Sequence, residues 1–280
     1  MQVITKKIVC TFLSARPQDS HKGMFGTVAV IGGASGMVGA AILSGRAALK
    51  LGAGCVHLGL LAEDAPSVDL QQPELMVHGS QFALQIPKLD VVAIGCGLSH
   101  NLDAQKTLHD ALKLETTLVL DADALNIIAL RPDLRSMLAT RKSASVITPH
   151  PGEAARLLGV SPDEIQSSRQ ASAEELAQRL NCSVVLKGAV SLCVTQNGKT
   201  WKNNTGNPGM SGPGMGDVLS GMIASFIAQR MTPDQAILLA VHLHGAAGDE
   251  LAKQQAEIGM TASEVTEWSR WILNQWIINL

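Results

Sequence analysis

The chain contains no tyrosine, and only 3% of its 280 residues are aromatic. Stacking platforms for single-stranded nucleic acid are therefore not expected. No sign of charge predominates: 22 lysines and arginines face 24 acids, scattered throughout, for a formal net charge of −2. That leaves no basic face for a nucleic acid and no polybasic cluster for a membrane surface. Long apolar runs are missing as well. The longest near the C-terminus, Ala236 to Val241, is far below membrane-spanning length, and the mixed residues that follow Lys6 and Lys7 are too few for a signal-peptide core. The five cysteines (Cys10, Cys55, Cys96, Cys182, Cys193) are odd in number and never spaced as CxxC. They read as small core hydrophobes in a reducing compartment, without a disulfide or zinc framework. A soluble cytoplasmic protein is expected.

Glycine, by contrast, is concentrated. Gly206, Gly209, Gly212, Gly214 and Gly216 fall with two prolines inside eleven residues, before an apolar pattern (Val218, Leu219, Met222, Ile223, Phe226) that predicts a helix from near Met215. Glycine lets a backbone approach a ligand closely, and the N–H groups opening the helix would face whatever sits in the loop, which makes an anion site. Asp217 falls in the first turn of that helix, placing a carboxylate beside the anion-binding amides. Acidic residues are favoured there on electrostatic grounds alone. A structural helix start, however, needs a cap and not five glycines.

The remainder alternates strand with helix. Near-continuous apolar strands are expected at Thr27–Ile31, Val56–Leu61, Val91–Ile94, Thr117–Leu120, Ser145–Ile147 and Val184–Leu186, with helices at Val38–Leu51, Asp103–Lys113 and Ala171–Leu180. Ser191–Thr195 and Lys199–Lys202 around Asn197–Gly198 form a hairpin, and the last third is helical: Met215–Arg230, Pro233–Gln254 and Ala262–Ile278. This pattern predicts an α/β fold, a mostly parallel sheet covered by helices on both faces. No composition break interrupts residues 1–280, so a single domain is expected.

Five loops follow strands closely: Gly32–Gly39, Gly95–Gly97, Asp121–Asn126, His150–Glu153 and Lys187–Gly188. In a doubly wound sheet they would converge on one crevice beyond the carboxyl ends. The first, GGASGMVG, together with Glu63 after the second strand, fits a dinucleotide fingerprint and hence a hydride-transferring enzyme. That reading leaves the Gly206–Asp217 loop without a purpose. His150 lies between Pro149 and Pro151, which restrict the backbone and would aim the imidazole, although a capping or solvent-facing histidine is the plainer alternative. Lys187 is either a core-edge lysine that snorkels or a ligand contact. His242 and His244, two apart on a predicted helix, point to different faces and are poor joint metal ligands. Trp268, Trp271 and Trp276 on the last helix are expected to pack on the body or on a neighbouring subunit.

The segments HKGMFGTVAVIGG, AIGCGL, VLDADALN, ITPHPGE, VVLKGA and TGNPGMSGPGMGDVLSG, in this order, resemble the ADP-dependent NAD(P)H-hydrate dehydratases of the ribokinase-like superfamily, from about His21 to the last helix. GxGD loops are widespread in that superfamily's small-molecule kinases; TPHPGE combined with TGNPGM and GMGDVLSG is more specific. The resemblance implies a ribokinase-like three-layer fold. It implies removal of water from the hydrated nicotinamide ring of NADHX or NADPHX, driven by cleavage of ADP to AMP or of ATP to ADP, with Mg²⁺. Its nucleotide contacts fall on Lys187, Gly188, Ala189, Val190, Ser191 and Gly216, and its hydrate contacts on Ala40, Gly97, His150 and Asp217, with Asp217 as catalytic base. No metal ligand is assigned. The Gly32–Gly39 loop would then hold a nicotinamide dinucleotide as substrate and not as redox partner. Pro213 departs from the family pattern and has no N–H, so the anion hole would rest on Gly214, Met215, Gly216 and Asp217. A homotetramer is implied, and epimerisation of the hydrate would come from a separate polypeptide. A superfamily kinase for a vitamin precursor or sugar, and a silent nucleotide-binding module, are the rival functions.

Overall fold

A computed structural model describes residues 1–279. Its strands are β1 (Gln2–Val3), β2 (Thr27–Gly32), β3 (Cys55–Leu60), β4 (Met76–Gly79), β5 (Val91–Ile94), β6 (Thr117–Leu120), β7 (Ser145–Ile147), β8 (Ser183–Leu186), β9 (Leu192–Val194) and β10 (Thr200–Lys202). The helices are α1 (Lys6–Cys10), α2 (Val38–Lys50), α3 (Ser80–Ala83), α4 (Leu102–Leu112), α5 (Ala122–Leu130), α6 (Pro132–Ala139), α7 (Pro151–Leu158), α8 (Pro162–Ser167), α9 (Arg169–Leu180), α10 (Met215–Ala228), α11 (Pro233–Gln254) and α12 (Ala262–Ile278).

All ten strands form one sheet, ordered β1-β10-β9-β8-β7-β6-β5-β2-β3-β4. Only β9 runs against the rest, because both its pairings, with β8 and with β10, are antiparallel. Successive side chains of a strand face opposite ways, and the two faces carry separate cores. Val28, Val30, Val56, Leu58, Val91 and Ala93 pack beneath α2, α10, α11 and α12. Ala29, Ile31, Val92, Ile94, Leu118 and Leu120 pack beneath α4, α5, α7 and α9. Strands buried on both sides must be apolar throughout, which is why they read as unbroken Val/Ile/Leu runs. Each such side chain stabilises the fold by roughly 1.5–3 kcal/mol. The expected three-layer α/β fold is the one observed.

The sheet positions the site through one reversal. From β2 the chain goes outward to β3 and β4, then crosses to β5 on the other side of β2 and continues outward through β8. The β2 and β5 loops thus flank a topological switch point, where open α/β sheets bind ligands. Behind it α2 and α10 cross at close range. A Cβ on Gly221 would lie 2.0 Å from the Ser44 carbonyl oxygen.

Several elements went unread in the sequence. β1, β4, α1, α3, α6 and α8 are short or peripheral. α5 and α7 begin inside DADALN and TPHPGE, stretches read above as strand-end loops. Asp121 caps α5 by accepting from the Ala122 N–H, and Pro151 is the first residue of α7. Caps and N1 prolines have the composition of loops.

Candidate active site

Helix α10 opens on Gly214, held at φ 85°, with no side chain capping its first turn. The left-handed conformation suits glycine, and a Cβ would meet Leu43 Cδ1 at 2.5 Å. The first N–H groups of α10 are therefore unclaimed by any cap, as the anion-site reading requires.

Gly216 and Asp217, adjacent on this first turn, face two different sets of groups. On the Gly216 side is the Lys187 ammonium, 3.2 Å from where a Gly216 Cβ would be. Lys187 Nζ donates to Asp121 Oδ1 at 2.6 Å and lies 3.9 Å from Glu153 Oε2. Asp121 Oδ2 accepts from the buried Ser220 hydroxyl at 2.8 Å. Burial works against the ammonium, but the Asp121 and Glu153 carboxylates outweigh it and raise the lysine's pKa. Lys187 is thus a fixed cation at the end of β8 and not a snorkelling edge residue.

Beside it opens a cavity of about 540 Å³, lined by Lys187, Gly188, Ala189, Ser191 and Gly216 along with Asn203, Thr205, Gly206, Asn207 and one face of α11. Five of the six expected nucleotide contacts share this lining; Val190 stands outside it, its carbonyl accepting from Arg169 at 3.0 Å. Arg169 also donates to the carbonyls of Leu186 and Lys187 and so pins the loop. The opposite wall is tied to α11. Asp249 accepts from the Gly206 N–H (2.9 Å) and Asn207 Nδ2 (3.1 Å), and Thr205 donates to the His242 carbonyl (3.0 Å).

On the Asp217 side lies the switch point. Burial raises the Asp217 carboxyl to about 6; the negative charges of Asp121 and Asp123 add to this, while the Cys96 thiol and Lys187 oppose it. Cys96, itself pushed well up by burial and by the charges of Asp217 and Asp121, remains a thiol beside Asp217. Gly97 follows it, packed against the first turn of α2 so closely that a Cβ would be 3.2 Å from the Ala40 Cβ. The Gly97 carbonyl accepts from the Ala34 N–H (2.7 Å) and the Cys96 carbonyl from Gly33 (3.0 Å), which joins the β2 and β5 loops. Ala40, Gly97 and Asp217 are therefore neighbours through Cys96.

His150 is placed by capping and not by its prolines alone. Its Nδ1 accepts from the Gly152 N–H (2.9 Å) while Glu153 Oε2 accepts from the His150 N–H (2.8 Å), a reciprocal capping box on α7. The half-exposed imidazole lies 3.3 Å from Glu153 Oε1, and burial, with Lys187 and Arg156, lowers its pKa. Through Glu153 it joins the Lys187 group rather than Gly97 and Ala40. Glu153, only 4% exposed, has its carboxyl pushed up to about 7 by burial against the opposing pull of Lys187. In the sequence the loops holding Asp121 and Glu153 stand out but neither residue does, and Cys96 has the character of plain core.

Two further expectations are settled by position. Glu63 lines a separate hollow of about 490 Å³ beyond β3 and β4, together with His78 and Phe82. His242 and His244 are each buried on α11, with Asn203 Oδ1 3.1 Å from His242 Nδ1. Among the described residues no group of three or more His, Cys, Asp or Glu is placed to hold a metal, and no helix is long and apolar enough to cross a membrane.

The chain is similar over most of its length to known proteins. The ADP-dependent (S)-NAD(P)H-hydrate dehydratase of Neisseria meningitidis is 38% identical over 266 residues, covering 93% of this chain and 89% of that protein. The bifunctional NAD(P)H-hydrate repair enzyme of Coxiella burnetii is 37% identical, over 96% of this chain but 54% of its own length, so the chain spans about half of that longer relative. The crystal structure of the ADP/ATP-dependent NAD(P)H-hydrate dehydratase of Bacillus subtilis, co-crystallized with ATP/Mg²⁺, superposes with a TM-score of 0.85 at 28% identity, covering 98% of each chain. The sequence model of the NAD(P)H-hydrate dehydratase family matches residues 28–270, nearly the whole of this chain, which therefore belongs to that family.

Proposed function

We propose that this enzyme restores NADH or NADPH from the hydrated forms NADHX and NADPHX, driven by conversion of ADP to AMP and phosphate, with Asp217 as catalytic base. The observation that carries the reading is the first turn of α10. There Gly216 and the uncapped amides adjoin Lys187 and the cavity, while the next residue, Asp217, adjoins Cys96, whose neighbour Gly97 packs on Ala40. One short piece of backbone thus separates a phosphate from the group that receives it.

In this mechanism the hydrate's ring hydroxyl, a poor leaving group, attacks the terminal phosphorus of the nucleotide as its proton passes to the Asp217 carboxylate. The bond from that phosphorus to the bridging oxygen breaks and AMP departs. The N–H groups of Gly214 to Asp217 and the Lys187 ammonium stabilise the charge on the transferring group. The ring C–O bond then breaks, phosphate leaves as the ring nitrogen pushes electrons in, and the neighbouring carbon gives up a proton to restore the double bond. A carboxyl with its pKa near 6 suits the base, being mostly ionised at neutral pH yet able to hold a proton. Ala189, Gly188 and Ser191 would line the nucleotide, Val190 would contact it from outside the present lining, and His150 would reach the hydrate from the α7 cap.

Mg²⁺ fits only as nucleotide enzymes use it, carried chiefly by phosphate oxygens, since no ready-made protein cage is present among the described residues. The hard oxygen donors at hand are the carboxylates of Asp121, Glu153 and Asp217. Bound there, the ion would neutralise phosphate charge. A homotetramer and a cytoplasmic setting complete the reading, with an epimerase polypeptide acting on the same substrate. Trp271, 52% exposed on α12, supports the oligomer, and light scattering at micromolar concentration tests it.

The deciding experiment incubates the protein with hydrated NADH and ADP. Dihydronicotinamide absorbance should return as AMP and phosphate appear. Nucleotide binding without turnover on ADP or ATP would leave a silent module, and a stable phosphorylated vitamin or sugar would make the protein a kinase.

A further inference from the structure

Helix α11 forms one wall of the 540 Å³ cavity through Val241, His244 and Gly245, and carries further polar side chains nearby. His242 has Asn203 as its partner, and Asp249 has Gly206 and Asn207. His244 differs. It lines the cavity, is 9% exposed, and its Nε2 is a buried atom with no hydrogen-bond partner among the described residues. Three other buried side-chain atoms among the described residues share that condition, Ser44 Oγ, Arg135 Nε and Ser269 Oγ, and none of them lines this cavity. A buried polar atom left unmade costs about 1–3 kcal/mol. An unpartnered atom of this kind, on a residue that lines a concave site, is best explained by a partner that arrives from outside.

The surroundings narrow the partner. Lys187 and the amides of α10 already meet the phosphates in the proposed function, on which this inference rests. The wall near His244 is built from Val241, Leu219, Met215, Met210 and Gly245. Asn203 and Thr205 complete this wall and donate to the carbonyls of Val241 and His242, and a largely apolar wall with a few convergent polar groups is the usual form of a site for a flat, uncharged ligand group. We propose that His244 Nε2 is a hydrogen-bonding contact for the nucleoside part of ADP, a ribose hydroxyl or a base edge, and not for its phosphates. The imidazole's ionisation agrees: burial, assisted by Lys187, brings its pKa down to about 4, so it enters the complex uncharged. A neutral ring adjacent to an ammonium offers little to a phosphate but makes an ordinary hydrogen bond to a hydroxyl or ring nitrogen.

The test uses purified full-length H244L and H244Q, with ADP and inorganic pyrophosphate titrated calorimetrically and melting measured without ligand. Leucine fills the space without a polar atom; glutamine extends an amide toward the Nε2 position. H244L should bind ADP about tenfold more weakly, the worth of one neutral hydrogen bond, and pyrophosphate as before. The KM for the hydrate should not change. Because leucine removes an unsatisfied group, unliganded H244L should melt no lower than wild type. H244Q should regain most of the ADP affinity. Unchanged ADP affinity in H244L would overturn the inference, as would equal weakening of ADP and pyrophosphate. A lowered melting temperature with no rescue by glutamine would also overturn it, making His244 a packing residue. Wild-type protein that bound no ADP would instead bring down the nucleotide reading of the cavity itself, with this inference following from it.

Discussion

At the amino ends of the strands, Asp90 accepts from the Thr27 N–H at 2.8 Å and from Arg230 at 2.7 Å, and Arg141 donates to the carbonyls of Leu112, Leu114 and Thr116. At the carboxyl ends of the same strands, Asp217 and Glu153 have carboxyls raised to about 6 and about 7, and His244 has an atom without a partner. One end uses its polar groups to close loops on themselves. The other holds polar groups in an environment that disfavours their charge and leaves part of their bonding capacity for a ligand. Perturbed groups gathered in a cleft mark function, and the stability they cost is recovered elsewhere in the fold.

The largest effect that would sharpen this comparison is on chemistry. D217N keeps the shape of the carboxylate but cannot take a proton, so kcat should fall by about 10²–10⁴ while ADP affinity changes little. The wild-type kcat/KM should fall about tenfold per pH unit below about 6, because a protonated Asp217 cannot act as base, and the variant's residual rate should lack that limb. Near-normal turnover in D217N would return Asp217 to the role of a first-turn acid and move attention to His150.

The matching substitution at the other end should leave chemistry alone. R141M removes the donor for three loop carbonyls and should destabilise the fold by roughly 2–3 kcal/mol in a denaturant titration, with kcat unchanged. A fall in kcat with intact stability would break the division between the ends.

The sequence displayed the two ends unequally, for physical reasons. Buried parallel strands are apolar at every position, so β2, β5, β6 and β7 could be read almost to the residue, and α11 and α12 exactly. Glycine density exposed the α10 loop. What could not be read was which polar residue in each loop meets which other: Lys187 and Asp121 are 66 residues apart in sequence and 2.6 Å apart in space. Cys96 looked like core because it is core, and only the fold turns its thiol toward Asp217. In the sequence His244 is half of a histidine pair that makes poor metal ligands, and what separates it from His242 is that His242 has Asn203 as a partner, which only the fold shows.

The smallest expected effect concerns Glu153, where the two ends can be compared through stability alone. Its carboxyl is raised from an ordinary 4.5 to about 7 by burial, so the folded state holds a proton there that the unfolded chain has already released. Between those two values the native state binds more protons, and stability conferred by the neutral form is present below about 4.5 and lost as pH rises through about 7. E153Q is neutral at every pH and retains an oxygen to accept from the His150 N–H, so the α7 cap survives. The variant and wild type should therefore melt together near pH 5 and separate as pH rises, with E153Q more stable at pH 8 by on the order of 1–3 kcal/mol. The corresponding D90N at the amino end should show no such gain, since its carboxylate is paired with Arg230 and a backbone N–H. A wild type that gains on E153Q with rising pH would mean that Lys187, 3.9 Å away, holds Glu153 as an ion, and the carboxyl end would then be satisfied internally, like the amino end.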